Sequence, residues 1–594
     1  MRQLLIILFS FTTHYSLLTP LSAASGGNPP NVLVILADDQ GWGDLSLHGS
    51  QNLNTPTLDR LAQQGAQFEN FYVQPVCSPT RAEFLTGRYY PRGGVYDTGA
   101  GGERLDADEE TIAQVFRTAG YATAAFGKWH NGTQAPYHPN TRGFDEYYGF
   151  TSGHWGSYFD ALLDHNGSLV QSAGYLPDTL TTATLDFIEQ QTADQTPFFA
   201  YLALPTPHSP MQTTDEDWAR FANKKLTSLA TNPADENPDH TRAALAMVEN
   251  IDANVGRLLD RIQELDIEEN TIVVYFTDNG PNGWRYNANM RGRKGSTDEG
   301  GTRSPLFIRY PQKIQPGATL NTIASSIDLL PTLGQLANIT WQPAQTLDGI
   351  SLAPQLQNPN LRLPDRTIFS YWSGRISART QDYRLDHQGQ LYHIPTDRGQ
   401  TTDLSTKHPE LTASLQSQID AWRSELLTPD AANPDRPLTI GYPGLAITQL
   451  PARDATWSGN ITRSNRWPNC SYLTDWTSDD DRITFTAHVG QSGTYQATLY
   501  YSAPKSAIGT EITLTTSNGS QTTARIQQAH TPPAYGMQHD RVPREESYVK
   551  DFAPLDLGQI TLPEGPTTLT LSTLNISSNT SLEFRLLLLE KAAN

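Results

Sequence analysis

Four short apolar runs, each followed at once by a polar cluster, limit what this chain can fold into. "NVLVIL" (31–36) leads into "ADDQGWGD", "YATAAF" (121–126) into "GKWH", "PFFAYLAL" (197–204) into "PTPHSP", and "TIVVYF" (271–276) into "TDNGP". Helical segments lie between them, including "DEETIAQVFRTAG" and "HTRAALAMVENIDANVGRLLDRIQEL", whose apolar residues recur at three and four. The alternation, from residue 31 to about 310, predicts an α/β fold with a mostly parallel central sheet sandwiched by helices. Ligands of open α/β sheets sit beyond the carboxyl ends of the strands, so the four polar clusters are expected to converge on one site.

With 594 residues the chain can bury a large core and divide into domains. The segment "RTIFSYWSGRISARTQDYRLDHQGQLYHI" reads as short strands and "PELTASLQSQIDAWRSELL" as a closing helix. They are expected to form a small antiparallel subdomain, about 350–427, inside a larger unit spanning 28–427. A Pro-, Asp- and Asn-rich linker, 428–437, precedes a change to Thr, Ser and alternating apolar residues. There "RITFTAHV", "TYQATLYYS", "TEITLTTSNG", "TTLTLSTLNI" and "LEFRLLLLE" predict an all-β sandwich over 438–594, an accessory domain.

At the N-terminus, Arg2, an apolar run from Leu4 to Phe9, and the small residues Ser22, Ala23 and Ala24 read as a signal peptide, residues 1–24. The expectation is export, to the periplasm or outside the cell. His14 and Pro20 interrupt the apolar stretch, which is shorter than the roughly 20 residues of a membrane span, so no stable anchor is expected. Only Cys77 and Cys470 are present, in different expected domains, which argues against a disulfide. A net charge of −20 excludes nucleic acid as the natural partner, and a polyanionic substrate would need a local basic cleft.

In "PVCSPTRAEFLTGR" (75–88), Ser78 can act as a helix N-cap, with Pro79 at the first helical position and Gly87 as the stop. Cys77 then lies where free backbone N–H groups and the helix dipole favour an anion, and Arg81 is one turn inside.

The spacing Cys77-x-Pro79-x-Arg81, followed by "LTGR", resembles the signature of the formylglycine-dependent sulfatases of the alkaline-phosphatase-like superfamily. The same family carries an Asp-Asp pair, a Gly-Lys-Trp-His segment, a Pro-His segment, an Asp-Asn-Gly segment and a Lys before Glu-Gly-Gly. In this sequence these are Asp38 and Asp39, "GKWH" (127–130), Pro207 with His208, "DNG" (278–280), and Lys294 with "EGG" (299–301), in the same order. Resemblance continues through "GQLYHIPTDRGQTTDLSTKHPEL" (389–411) and covers about 30–425. It implies that a formylglycine-generating enzyme oxidises Cys77. A hydroxyl of the hydrated aldehyde then attacks sulfur and expels the alcohol. The second hydroxyl loses its proton, and collapse to the aldehyde releases sulfate. Cysteine serves as precursor to that group, which explains why neither a disulfide nor a buried thiol would do.

Each motif also has a chemical job of its own. Asp38, Asp39, Asp278 and Asn279 are hard oxygen ligands, suited to Ca²⁺ and less to Mg²⁺. With Cys77 they make up the expected metal site. Arg81, Lys128 and Lys294 can clamp sulfate oxygens as charge builds on them. His130 is a candidate base for the geminal hydroxyl, and His208, with Lys294, a candidate partner of the leaving oxygen. The expected substrate is a sulfate ester on a polysaccharide or its oligosaccharides. A phosphoryl or phosphonate ester hydrolase on the same fold and a catalytically inactive glycan-binding protein are the alternatives.

Other residues leave two readings open. Arg285, Arg291 and Arg293 could supply the basic cleft or sit on a solvated loop, and His154 and Trp155 could line a sugar pocket or the core. Trp457, Trp467, Trp476 and Tyr472 could stack on carbohydrate or fill the sandwich. Asn131 and Ser304 stand where many relatives carry Leu and Val, departures read as outside the chemical groups. Cys470 has no evident partner.

Overall fold

The computed structural model describes residues 28–428, 436–577 and 580–592. The expected signal peptide and most of the 428–437 linker lie outside the described residues.

The first half is built on an eleven-stranded sheet. In chain order its strands are β1 (Asn31–Ala37), β2 (Ala66–Tyr72), β3 (Ala122–Lys128), β4 (Glu146–Phe150), β5 (Leu162–His165), β6 (Ser168–Gln171), β7 (Phe198–Ala203), β8 (Thr271–Thr277), β9 (Arg303–Ser304), β10 (Leu306–Arg309) and β11 (Ala318–Ser325). Five of them, β8-β1-β7-β3-β4, run parallel at the centre. On one side β10 runs antiparallel to both β8 and β2, and on the other β5 and β6 form an antiparallel edge.

The central strands read as continuous apolar runs because both sheet faces are covered. Val32, Val34 and Leu36 pack with Phe84, Phe116 and Leu329 on one face. Leu33 and Ile35 pack with Leu58, Leu180, Met247 and Ile251 on the other. Burying each large apolar side chain contributes roughly 1.5–3 kcal/mol, so a charge at Leu33 or Val34 would break this layer. The long helix Pro238–Glu264 starts where the Asn237 side chain accepts from the amides of Asp239 and His240, and lays its apolar stripe on the second face.

Strand register sets the site. Leu36 lies opposite Ala203, Ala37 opposite Thr277, and Ala203 opposite Gly127. The carboxyl ends of β1, β8, β7 and β3 therefore stop at one level, and the residues that follow them share one edge of the sheet.

A separate four-stranded antiparallel sheet (Ile368–Trp372, Arg375–Arg379, Tyr383–Leu385, Leu391–His393) packs on the helix Pro409–Leu426 through Leu415, Ile419 and Trp422. The C-terminal region, from Leu438 on, forms two six-stranded sheets around a core of its own. All five expected strands are present there, including Arg482–Val489, Gly493–Ser502 and Leu582–Lys591. Ala553–Leu562 is an additional strand. Pro554 and Gly558 break its pattern, and a register shift at Ala497/Thr498 accommodates it. Trp476 is buried in the sandwich core and Trp457 packs against it, whereas Trp467 is 45% exposed. Among the described residues no helix is long and apolar enough to cross a membrane.

Candidate active site

The helix Cys77–Thr86 starts two residues earlier than expected. Its cap is the extended Val76 with no side-chain cap bond, so Ser78 and Pro79 lie within the first turn and Cys77 itself opens the helix. Gly87, at φ 68°, ends it. Thr80 ties the helix to the neighbouring strand end by donating from Oγ1 to the Asp278 carbonyl (2.6 Å) and accepting from the Gln74 amide (2.9 Å). Arg81 donates to Asp278 Oδ2 (2.8 Å) and to the Lys128 carbonyl (2.8 Å), which joins the ends of β8 and β3.

Asp38 and Asp39 follow β1, and Asp39 adopts φ 64°. Asp39 Oδ1 accepts from Lys294 Nζ (2.6 Å) and Asn279 Nδ2 (2.7 Å), and its backbone amide donates to Asp278 Oδ1 (3.1 Å). Lys128 pairs with Asp38 Oδ2, which Arg81 also approaches at 3.7 Å. Burial, then the charge of Asp278, pushes the Asp38 carboxyl up to about 8. Burial also acts to raise Asp39, but Lys294, His208 and Lys128 together outweigh it and hold that carboxyl well below its ordinary range.

Ligand atoms of Asp38, Asp39, Cys77 and His208 all lie within 4.8 Å of one another. Three buried oxygens in this region, Asp38 Oδ1, Asp39 Oδ2 and Asn279 Oδ1, have no hydrogen-bond partner. Buried polar atoms are ordinarily paired, and three convergent hard oxygens without partners fit a divalent cation. Asp278 differs from the other expected ligands because Arg81 and the Asp39 amide already take both its oxygens.

His208 comes off β7 through a Thr206–Pro207 cis peptide. Its Nδ1–H donates to the Ser209 carbonyl (2.7 Å), leaving Nε2 3.7 Å from Asp39 Oδ2. Burial, then the charge of Lys294, pushes this imidazole down to about 3. His130, at φ 63°, pairs Nε2 with the Thr98 carbonyl (2.9 Å), and its buried Nδ1 has no partner. Burial, then Lys128, drives it well below the ordinary range, so both imidazoles are neutral. Burial pushes the Cys77 thiol up, against the pull of Lys128 and Lys294. As a thiol, Cys77 is a poor source of thiolate.

A protein-family model described as Sulfatase matches residues 30–339, more than half of the chain. The chain belongs to the sulfatase family. This sulfatase is 32% identical over 401 residues to the N-acetylgalactosamine-6-sulfatase of Homo sapiens, an alignment covering 62% of this chain and 73% of that protein. A sulfatase of Formosa agariphila is 28% identical over 515 residues, with 68% and 92% covered. The crystal structure of Ps i-CgsB in complex with k-i-k-neocarrahexaose superposes with a TM-score of 0.61 at 30% identity, covering 67% of this chain and 93% of that one. The formylglycine-dependent, alkaline-phosphatase-like resemblance is thereby established, and with it the class of a sulfuric ester hydrolase.

Several residues of this sulfatase have different places from those their sequence suggested. Arg285 does not form an open basic cleft. It grips Asp44 through Nε and Nη2 and donates to the Asp39 carbonyl (3.0 Å). Arg291 is committed to Asp298 (2.6 Å) and Asp386 (2.7 Å), and Arg293 lies over the Trp284 ring. Glu299 of the "EGG" segment is buried among Arg379, Arg384 and Arg303, a bridge to the small antiparallel sheet. Asn131 is not remote from the chemical groups: fully buried, it donates from Nδ2 to Ser78 Oγ (3.3 Å) and to the Glu103 carbonyl (3.3 Å) beside the start of the Cys77 helix. His154 and Trp155 follow the core reading: His154 is buried with its ring 5.9 Å from that of His208, and Trp155 stacks on Phe150 against the second-face core. Asp44 was missed because nothing in "GWGD" marks it as the partner of an arginine so distant in the chain.

Proposed function

We propose that this sulfatase is exported and cleaves the sulfate ester of a sulfated carbohydrate, with Cys77 converted to formylglycine beside a bound divalent cation, Ca²⁺ before Mg²⁺. The observation that carries this reading is the meeting of Cys77 with Asp38, Asp39 and His208 within 4.8 Å, next to unpartnered oxygens of Asp38, Asp39 and Asn279. Those three carboxamide and carboxylate side chains would hold the cation, which when bound offers charge to sulfate oxygens. Formylglycine at residue 77 would supply a hydroxyl as nucleophile, with a second hydroxyl left to release sulfate, which a cysteine side chain does not offer.

The protein's own side chains do the rest. Lys128 and Lys294, both on the carboxylates that border Cys77, supply fixed positive charge where the ester's oxygens gain negative charge. Arg81 keeps the Cys77 helix in register with the ends of β3 and β8. His208, fixed by its Nδ1–H bond, turns Nε2 toward the same cluster, and must take up a proton on Nε2 before it can pass one to the leaving oxygen. His130, neutral and with an unpartnered Nδ1, is the candidate base for the geminal hydroxyl.

A carbohydrate substrate is favoured because the relatives include N-acetylgalactosamine-6-sulfatases and a protein crystallised with k-i-k-neocarrahexaose. Sulfate release should be followed from N-acetylgalactosamine 6-sulfate, k-i-k-neocarrahexaose and 4-nitrocatechol sulfate, with a matched phosphate ester alongside. Release by the native protein from at least one sulfate ester, abolished in Cys77→Ala, supports the reading. Release undiminished in Cys77→Ala, or faster cleavage of the phosphate ester, overturns it.

A further inference from the structure

The sandwich is not merely tethered to the catalytic half. Val542 packs into the second-face core of the catalytic sheet, and the Arg541 amide donates to the Met211 carbonyl (2.9 Å). Gln212 and Asp540 form a β-bridge, and Gln212 Nε2 also donates to Asp540 Oδ1 (2.8 Å) and to the Gly536 carbonyl (2.7 Å). Arg544 donates to the Gly156 carbonyl while Asp540 holds its guanidinium. The segment 536–546 is thus fastened along the loop that carries His208, far beyond residue 339, where the family match ends.

Ser209 is the hub of that loop. Its carbonyl accepts from His208 Nδ1 (2.7 Å), His154 Nδ1 (3.1 Å) and the Tyr158 hydroxyl (3.0 Å). Its own hydroxyl donates to Glu546 Oε1 at 2.5 Å, a charge-assisted bond across the seam between the two halves. The carbonyl sets which nitrogen of His208 carries hydrogen and which way the ring faces, and Glu546 holds the residue that owns the carbonyl.

We infer that Glu546, delivered by the β-sandwich, is a positioning residue for His208, so that the accessory half completes the active site. This rests on the sulfatase reading above. Glu546 acts through Ser209, so its loss affects the reacting geometry and leaves substrate binding alone.

The test compares steady-state rates of the full chain and its variants on whichever of 4-nitrocatechol sulfate, N-acetylgalactosamine 6-sulfate and k-i-k-neocarrahexaose the native protein cleaves fastest. Glu546→Ala should lower kcat by about 10–100-fold with KM within about twofold, the range typical of groups that orient a catalytic ligand. Glu546→Gln, which still offers Ser209 an oxygen, should recover kcat to within about threefold of native. Ser209→Ala should lose as much as Glu546→Ala, and the double variant no more than either, because both cut one chain of contacts. Thermal melts identify a variant that fails to fold, in which case the Gln and Ser209 variants carry the test. An unchanged kcat in Glu546→Ala, a rise in KM alone, or losses that multiply in the double variant would overturn the inference. If the native protein releases no sulfate from any of the three, the underlying functional reading fails instead.

Discussion

Arg285 donates from Nη2 to the backbone carbonyl of Asp39 at 3.0 Å, while its fork closes on the buried carboxylate of Asp44. An arginine from one loop thereby holds the left-handed backbone of a residue on another, at the point where Asp39 turns its carboxylate inward. Arg285→Ala should leave Asp44 buried without its counter-charge, at a cost of about 3–5 kcal/mol, and cut activity at least as severely as it weakens the fold. Arg285→Lys keeps the charge but not the fork, and should fall between the two. Urea unfolding midpoints and sulfate-release rates, measured on the same preparations, check both.

The unpartnered oxygens of Asp38, Asp39 and Asn279 give a second prediction. Added Ca²⁺ should raise the melting temperature, because a ligand that binds only the folded state stabilises it by about 2.7 kcal/mol at a hundredfold excess over its Kd. Asn279→Ala should weaken this response and Asp39→Asn should remove most of it. A melting temperature indifferent to Ca²⁺ and Mg²⁺ would contradict the assignment of these residues.

Gly280 and Gly301 hold the "DNG" and "EGG" segments together, the Gly280 amide donating to the Gly301 carbonyl at 2.9 Å. A Cβ on Gly280 would stand 2.0 Å from the Gly300 carbonyl oxygen. In Gly280→Ala one of the two segments must therefore shift, and because Asn279 adjoins Gly280 the expected outcome is a lower Ca²⁺ response in the melt together with a loss of overall stability. Calorimetry with and without the ion distinguishes the two effects.

His154 makes stability depend on pH. Burial pushes its imidazole down to about 3, although Glu546 opposes this, and its buried Nε2 has no partner to receive a proton. In the unfolded chain the same group takes a proton near about 6.5. Below that pH the unfolded state binds more protons, so this contribution is complete above about 6.5 and is lost as pH falls toward the folded value, by up to about 1.4 kcal/mol per pH unit. His154→Gln should flatten the decline in urea stability between about pH 7.5 and about pH 5. Equal slopes in the native and variant proteins would rule His154 out as the source.

The strands and the residues at their ends were legible because buried parallel strands leave uninterrupted apolar runs, and the chemistry follows those runs directly. Asp38, Lys128, His208 and Asp278 each stand within a few residues of such an end. The contacts that join distant loops left no such mark. Arg285 with Asp44, Asn131 beneath the Cys77 helix, and Glu546 on Ser209 are single polar residues with no periodicity, and their partners become known only when register brings them together. Ser78 and Pro79 suggested a helix start two residues late, because a helix can begin without a side-chain cap when a strand end already fixes its first turn. In the sandwich, the tryptophans that could have been a sugar platform divide by burial, Trp476 filling the core and Trp467 remaining outside.

The most direct test of the account is mass spectrometry of the tryptic peptide from Leu61 to Arg81, taken from active protein made in a host that has the formylglycine-generating enzyme. The account predicts a peptide in which the Cys77 side chain has exchanged its sulfur and two hydrogens for an aldehyde oxygen, in proportion to specific activity. An unmodified thiol in protein that releases sulfate at full rate would contradict it.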